Sequence, residues 1–166
     1  MKYLVLKSRK LNVNQFPENY HLIAIHSDLD EYRLAFFLNK KLNINLKRKR
    51  EDIYFTDQDA SYSSYEFLDK VKFLKWIFFS NKSLVLENSM DQNINLFNND
   101  NLVKNETVLL SNHKFVDYFL IIENIADRTY LQKILKKISE IRGIITSFIT
   151  EKKLDNKENL IFSWAI

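Results

Sequence analysis

Eight consecutive residues, Phe115-Val116-Asp117-Tyr118-Phe119-Leu120-Ile121-Ile122, contain a single charged side chain. They are followed by a stretch from about Asp127 to Arg142 in which Leu131, Ile134, Leu135, Ile138 and Ile141 keep one stripe. Ile144-Ile145-Thr146-Ser147-Phe148-Ile149 comes next. The hydrophobic period passes from extended to helical and back, which predicts a strand, a helix and a strand. Asp127 is placed to cap the helix. Gly143, the only glycine of the chain, is placed to supply its left-handed C′ residue. Arg128, Lys133, Lys136 and Lys137 fall off the stripe and give the helix a positive outer face.

The first half repeats this order. Tyr20 to His26 is apolar on both faces, as an interior strand requires. Ser27, with Asp30 three residues on, predicts a capped helix running to about Leu42, its first turn loaded with Asp28, Asp30 and Glu31. Leu34, Ala35, Leu38 and Leu42 form one apolar side of that helix, and Leu29, Tyr32 and Phe36 the other, with Phe37 between. One side can cover a sheet. The second calls for another element or a partner. Residues 44–50 read as the strand that closes this unit.

Tyr62 to Leu68 and Val71 to Phe79 predict a hairpin across Asp69-Lys70, and Leu84 to Leu86 and Thr107 to Leu110 predict short strands. Asn-rich residues 88–105 read as a flexible loop or insertion. Lys2 to Leu6 reads as an edge strand or arm, and the apolar tail Leu160 to Ile166 reads as a docked segment. Residues 1–166 together predict one α+β domain. Its two strand-helix-strand units form a mainly antiparallel sheet with the helices on one face, a ferredoxin-like core with an inserted hairpin.

Composition narrows the function mainly by exclusion. With no cysteine there is no disulfide, thiolate metal site or cysteine nucleophile, which fits a reducing compartment. No run approaches the ~18 apolar residues of a membrane span, so the expectation is a cytoplasmic protein with no membrane association. A single glycine rules out a P-loop, a dinucleotide fingerprint and a nucleophile elbow, so no nucleotide phosphate site or cofactor is expected. The net charge of +4 fits either compositional drift, in a chain rich in Lys, Asn and Ile, or a functional basic face.

A few polar residues stand out. Asp117 interrupts an apolar strand and shares a face with Phe115, Phe119 and Ile121. A carboxylate there is costly unless it is paired, hydrogen-bonded or protonated. Two readings stay open: structural pairing, with an arginine such as Arg33 or Arg48, or a ligand-contacting or catalytic acid. Tyr118 and His113 are candidates beside it, His113 forming with Lys114 and Asp117 a polar cluster at the strand entrance. His21 and His26 lie on opposite faces of one strand, ~16 Å apart, and share no metal. Asp57, Asp59 and Glu66 read as solvated. Lys47-Arg48-Lys49-Arg50 is the one dense basic run. It reads either as edge protection or, with Tyr54, Tyr62, Tyr65 or Trp76 nearby, as a track for a phosphate backbone. No catalytic residue or metal ligand set is assigned.

Several stretches carry a resemblance: Tyr20-His21-Leu22-Ile23-Ala24-Ile25, Glu31-Tyr32-Arg33-Leu34, Ser64-Tyr65-Glu66-Phe67, Ser80-Asn81-Lys82, Val116-Asp117-Tyr118-Phe119-Leu120-Ile121 and Lys157-Glu158-Asn159-Leu160-Ile161-Phe162. Together they resemble the bacterial IPExxxVDY family from about Tyr20 to Phe162. Val116-Asp117-Tyr118 keeps the second half of the motif, while Leu110-Ser111-Asn112 stands in place of Ile-Pro-Glu, so no glutamate role carries over to Asn112. The resemblance implies continuity of fold and no particular activity. It also implies a gene near that of ribonuclease III.

The leading expectation is a non-catalytic adaptor that holds a protein partner through an aromatic surface, such as the second side of the first helix. The alternative is an RNA-binding accessory protein using Lys47 to Arg50 and the positive face of the second helix. An enzyme centred on Asp117 and His113 is the third.

Overall fold

A computed structural model describes residues 20–55, 60–87 and 103–150. The strands are β1 (Tyr20–Ser27), β2 (Lys47–Arg48), β3 (Ile53–Phe55), β4 (Ala60–Tyr62), β5 (Ser64–Asp69), β6 (Leu74–Ser80), β7 (Lys82–Glu87), β8 (Val103–Val108), β9 (Tyr118–Glu123) and β10 (Ile144–Thr150). Helix α1 (Glu31–Leu42) follows β1, and α2 (Arg128–Ser139) follows β9. The fold is α+β. Six strands form an antiparallel sheet in the order β10-β1-β9-β6-β5-β2, and β3–β4 and β7–β8 form separate two-stranded ribbons.

The two strands that lead into helices, β1 and β9, lie side by side in the middle, where their double-sided apolar character demands burial on both faces. Ile23, Ile25, Trp76, Phe78, Leu120 and Ile122 form one face. It is covered by Leu34 and Leu38 of α1 and by Leu131, Ile134 and Ile138 of α2. Both helices therefore sit on the same side, as their stripes predict. On the opposite face Leu22, Ala24, Ile77, Phe79, Phe119 and Ile121 pack against Ile53, Ala60 and Tyr62 and against Leu109, Leu110 and Val116. Each fully buried ring or branched chain of these layers contributes roughly 1.5–3 kcal/mol.

Several boundaries differ from the expectations, for identifiable reasons. Helix α1 starts at Glu31, because Ser27 ends β1: its hydroxyl donates to the Gly143 carbonyl (2.7 Å) and accepts from the Leu29 N–H (3.2 Å). Gly143 is not the C′ residue of α2, which ends at Ser139. It turns the chain into β10 at φ +99°, where a Cβ would come within 2.7 Å of Leu29 Cγ. The expected Asp127 cap does form, accepting from the Thr129 N–H (2.8 Å).

Of the strand expected at 44–50 only Lys47–Arg48 pairs, and it joins the far edge of the sheet beside β5. Asn39 diverts the intervening chain, its carboxamide bonding both the N–H (2.7 Å) and the carbonyl (3.0 Å) of Leu46. The hairpin is no insertion: β6 is the direct neighbour of β9, so β5 and β6 complete the main sheet. Residues 103–105 of the expected loop belong to β8, which pairs with β7. The expectations for 2–6, 88–102 and 160–166, and for Asp57 and Asp59, lie outside the described residues. No helix among the described residues is long and apolar enough to cross a membrane.

Candidate functional site

The organising strand begins at Tyr118, not at Phe115. Ser111–His113 form one turn of 3-10 helix, and Phe115 lies 73% exposed on a turn. Asn81, fully buried at the corner between β6 and β7, explains the delay. Its Nδ2 donates to the carbonyls of His113 (3.0 Å) and Val116 (2.9 Å), and its Oδ1 accepts from the Leu110 N–H (2.9 Å). Its own backbone N–H donates to the Asp117 carbonyl (2.8 Å), and its carbonyl accepts from Leu109 (2.9 Å). One side chain thus supplies the bonds that strand pairing would otherwise give to residues 110–116.

This anchoring sets Asp117 at the entrance of β9, half-buried beside the end of β1. Its carboxylate accepts from the Ser27 N–H (3.0 Å) and pairs with Lys82 Nζ (3.1 Å), with His26 Nδ1 at 3.6 Å. Neither expected arginine takes part: Arg48 pairs with Asp52. Lys82 also reaches Glu106 (3.6 Å). The hydrogen bond it donates to Asp117 holds the Lys82 ammonium above the usual lysine range, so it stays charged. Tyr118 donates its hydroxyl to the Leu29 carbonyl (2.7 Å), and burial, with Glu31 and Asp117 adding to it, pushes its phenol well up. An open pocket of about 240 Å³ lies beside these groups, bounded also by Ser80 and Ser83.

His113 does not join a cluster on Asp117. Its ring lies edge-on to Phe119 (5.6 Å between centroids), and Lys114 lies over Phe115. His21 and His26 part as expected, His21 Nε2 lying 3.2 Å from the Ile125 carbonyl. In the basic run, Lys47 and Arg48 are exposed on an edge strand. Arg48 is held by Asp52 and lies 5.7 Å from the Tyr65 ring centre, and Lys49 pairs with Glu66 (3.5 Å). Glu66 also pairs with Lys75 (3.6 Å), so it is not simply solvated.

The site therefore combines Asp117 and Tyr118 with Ser27, Asn81 and Lys82. Asn81 and Lys82 were legible only as part of the Ser80-Asn81-Lys82 stretch, with no role, since their partners lie some thirty positions away. Chemically, the cluster holds a charged ammonium, a carboxylate engaged on both oxygens and a neutral phenol that donates to a carbonyl. Neither the raised ammonium nor the raised phenol is poised to give up a proton near neutral pH. Among the described residues no three His, Asp or Glu side chains gather in a metal-binding arrangement. No protein-family model, curated protein or solved structure matches this chain.

Proposed function

We propose that the chain is a small cytoplasmic binding module without catalysis, which holds a protein partner on the outer face of α1. The supporting observation is a pair of aromatic side chains left largely exposed by the described residues. Tyr32 and Phe36, one helical turn apart, are each 61% exposed, and Phe37 braces Phe36 edge-on (5.5 Å). Leu34, Ala35 and Leu38 use the opposite side of the same helix for the core, so the outer rings are left outside it. Asp28, Asp30 and Glu31 lie at the adjoining end. The partner it suits presents an apolar socket flanked by basic groups. Val116-Asp117-Tyr118, which carries the resemblance to the IPExxxVDY proteins, falls in a paired cluster, and this supports a binding role over a catalytic one.

The test is a pull-down from native lysate, run with and without nuclease, for the native chain and for the double variant Tyr32→Ser, Phe36→Ser. A captured protein that survives nuclease and is lost with the variant is the expected result. Capture indifferent to the variant overturns it. The RNA reading ranks second. It retains exposed Lys47 and Arg50 at a sheet edge, but Asp52 and Glu66 offset Arg48 and Lys49.

A further inference from the structure

Away from Asp117, on the helix-covered side of the sheet, a groove of about 330 Å³ lies between the end of α1 and one flank of α2. Its apolar wall is Leu42, Ile134, Tyr130 and the indole of Trp76. Three lysines, Lys133, Lys136 and Lys137, line it from α2. Their spacing brings this about: Tyr130, Lys133, Ile134 and Lys137 follow i, i+3, i+4 and i+7 and so share one edge of the helix. Among the described residues the only carboxylate of the lining, Glu140, is engaged by Lys41 (2.8 Å). A fourth ammonium, that of Lys72, lies 5.7 Å from the Tyr130 ring centre. The groove is apolar within and cationic around.

A second observation comes from Trp76. It is 1% exposed, and its Nε1–H is buried with no hydrogen-bond partner among the described residues. A buried donor left without an acceptor is destabilising, and an incoming acceptor can relieve that cost. Trp76 itself lines the groove, so the orphan donor belongs to a residue of the same lining that carries the lysines.

We propose that this groove binds a small amphipathic monoanion, an apolar body carrying one carboxylate. The body lies on Leu42, Ile134 and the rings of Tyr130 and Trp76. The carboxylate is held by Lys133 and Lys137, with Lys136 beside them, and the Trp76 indole N–H donates to the ligand once the flexible lysine stems swing aside. A phosphate suits the site less well. Lys136 and Lys137 stand in the last turn of α2, which offers no free backbone N–H groups for several phosphate oxygens, and the negative end of the helix dipole there opposes two charges more than one. One charge with an apolar tail matches a lining that is mostly hydrocarbon.

The test uses octanoate as the probe, octanol as its uncharged counterpart and the full chain labelled with ¹⁵N, Trp164→Phe assigning the indole resonances. Octanoate is expected to shift the Trp76 indole N–H saturably and to bind at least about tenfold more tightly than octanol. Lys133→Gln with Lys137→Gln, on the solvent side of α2, should weaken octanoate about tenfold or more and leave octanol unchanged. Trp76→Phe should weaken octanoate as well. If that variant does not fold, the lysine pair still decides the matter. Equal affinity for octanol, no perturbation of Trp76, or indifference to the lysines overturns the proposal. So does a single-stranded RNA that occupies these lysines where octanoate does not.

Discussion

The two ends of the central strand β9 each carry a carboxylate, and the two are treated oppositely. Asp117, at the entrance, is half-buried and engaged by a backbone N–H and the Lys82 ammonium. Glu123, at the exit, is only 6% exposed, and its Oε1 has no hydrogen-bond partner among the described residues. Lys75 stands opposite it in the ladder but is itself drawn to Glu66. Burial raises the Glu123 carboxyl above its usual value, with Lys75 countering, and lowers the Lys75 ammonium, with Glu66 countering. The acid that is conspicuous in the sequence is the comfortable one. The acid that looks ordinary at a strand end bears the desolvation cost.

The sharpest way to break this contrast is to remove the anchor of the satisfied end. Asn81→Leu leaves the Leu110 N–H and the carbonyls of His113 and Val116 without their partner. Chemical denaturation should show a loss of roughly 3 kcal/mol or more, or no folded protein. A loss under about 1 kcal/mol would mean that water replaces the carboxamide and that the corner is not built on it.

A smaller effect is expected at Asp117 itself. Asp117→Asn keeps an acceptor for Ser27 but deprives Lys82 of its closest counter-charge, leaving Glu106. The expected cost is about 1 kcal/mol by denaturation, for a pair that is partly exposed. Because Lys82 is raised in the folded state, the native chain should exceed the variant in stability below the ordinary lysine pKa. The margin should close as pH rises through the raised value. A variant that folds with native stability but fails in the partner assay would instead give Asp117 a contact role.

The smallest effect, and one of opposite sign, belongs to Glu123. With its folded pKa above 4.5, the native state binds more protons than the unfolded chain in the window between the two values. Its contribution is therefore present at acid pH and lost as pH rises through that window. Glu123→Gln should flatten this part of the stability profile and melt no lower than the native chain at pH 7. A clear loss at pH 7 would show that the ion pair with Lys75 outweighs its desolvation.

Residues with local causes were legible from sequence. The Asp127 cap depends on a residue two positions away, and the α2 stripe on neighbours three and four positions away. The start of α1 differs from its local pattern because the Ser27 hydroxyl goes to Gly143, 116 residues on, instead of to its own helix. The local pattern extends the strand back to Phe115 because it carries no record of Asn81. The basic run Lys47 to Arg50 is conspicuous in sequence yet partly neutralised in space. Lys133, Lys136 and Lys137 look like an ordinary solvated helix face until α1 and Trp76 come up beside them.

By itself, then, the sequence determined the α+β class, the helix-covered face and the doubly buried middle strands. These follow from period, propensity and composition, which act over a few residues. Strand order, the diversion of β2 to the far edge, the partners of Asp117 and the fate of Glu123 were decided by tertiary structure alone. Hydrogen bonds and ion pairs are set by distance in space, and a chain that brings residue 27 against residue 143 creates neighbours that no local window contains.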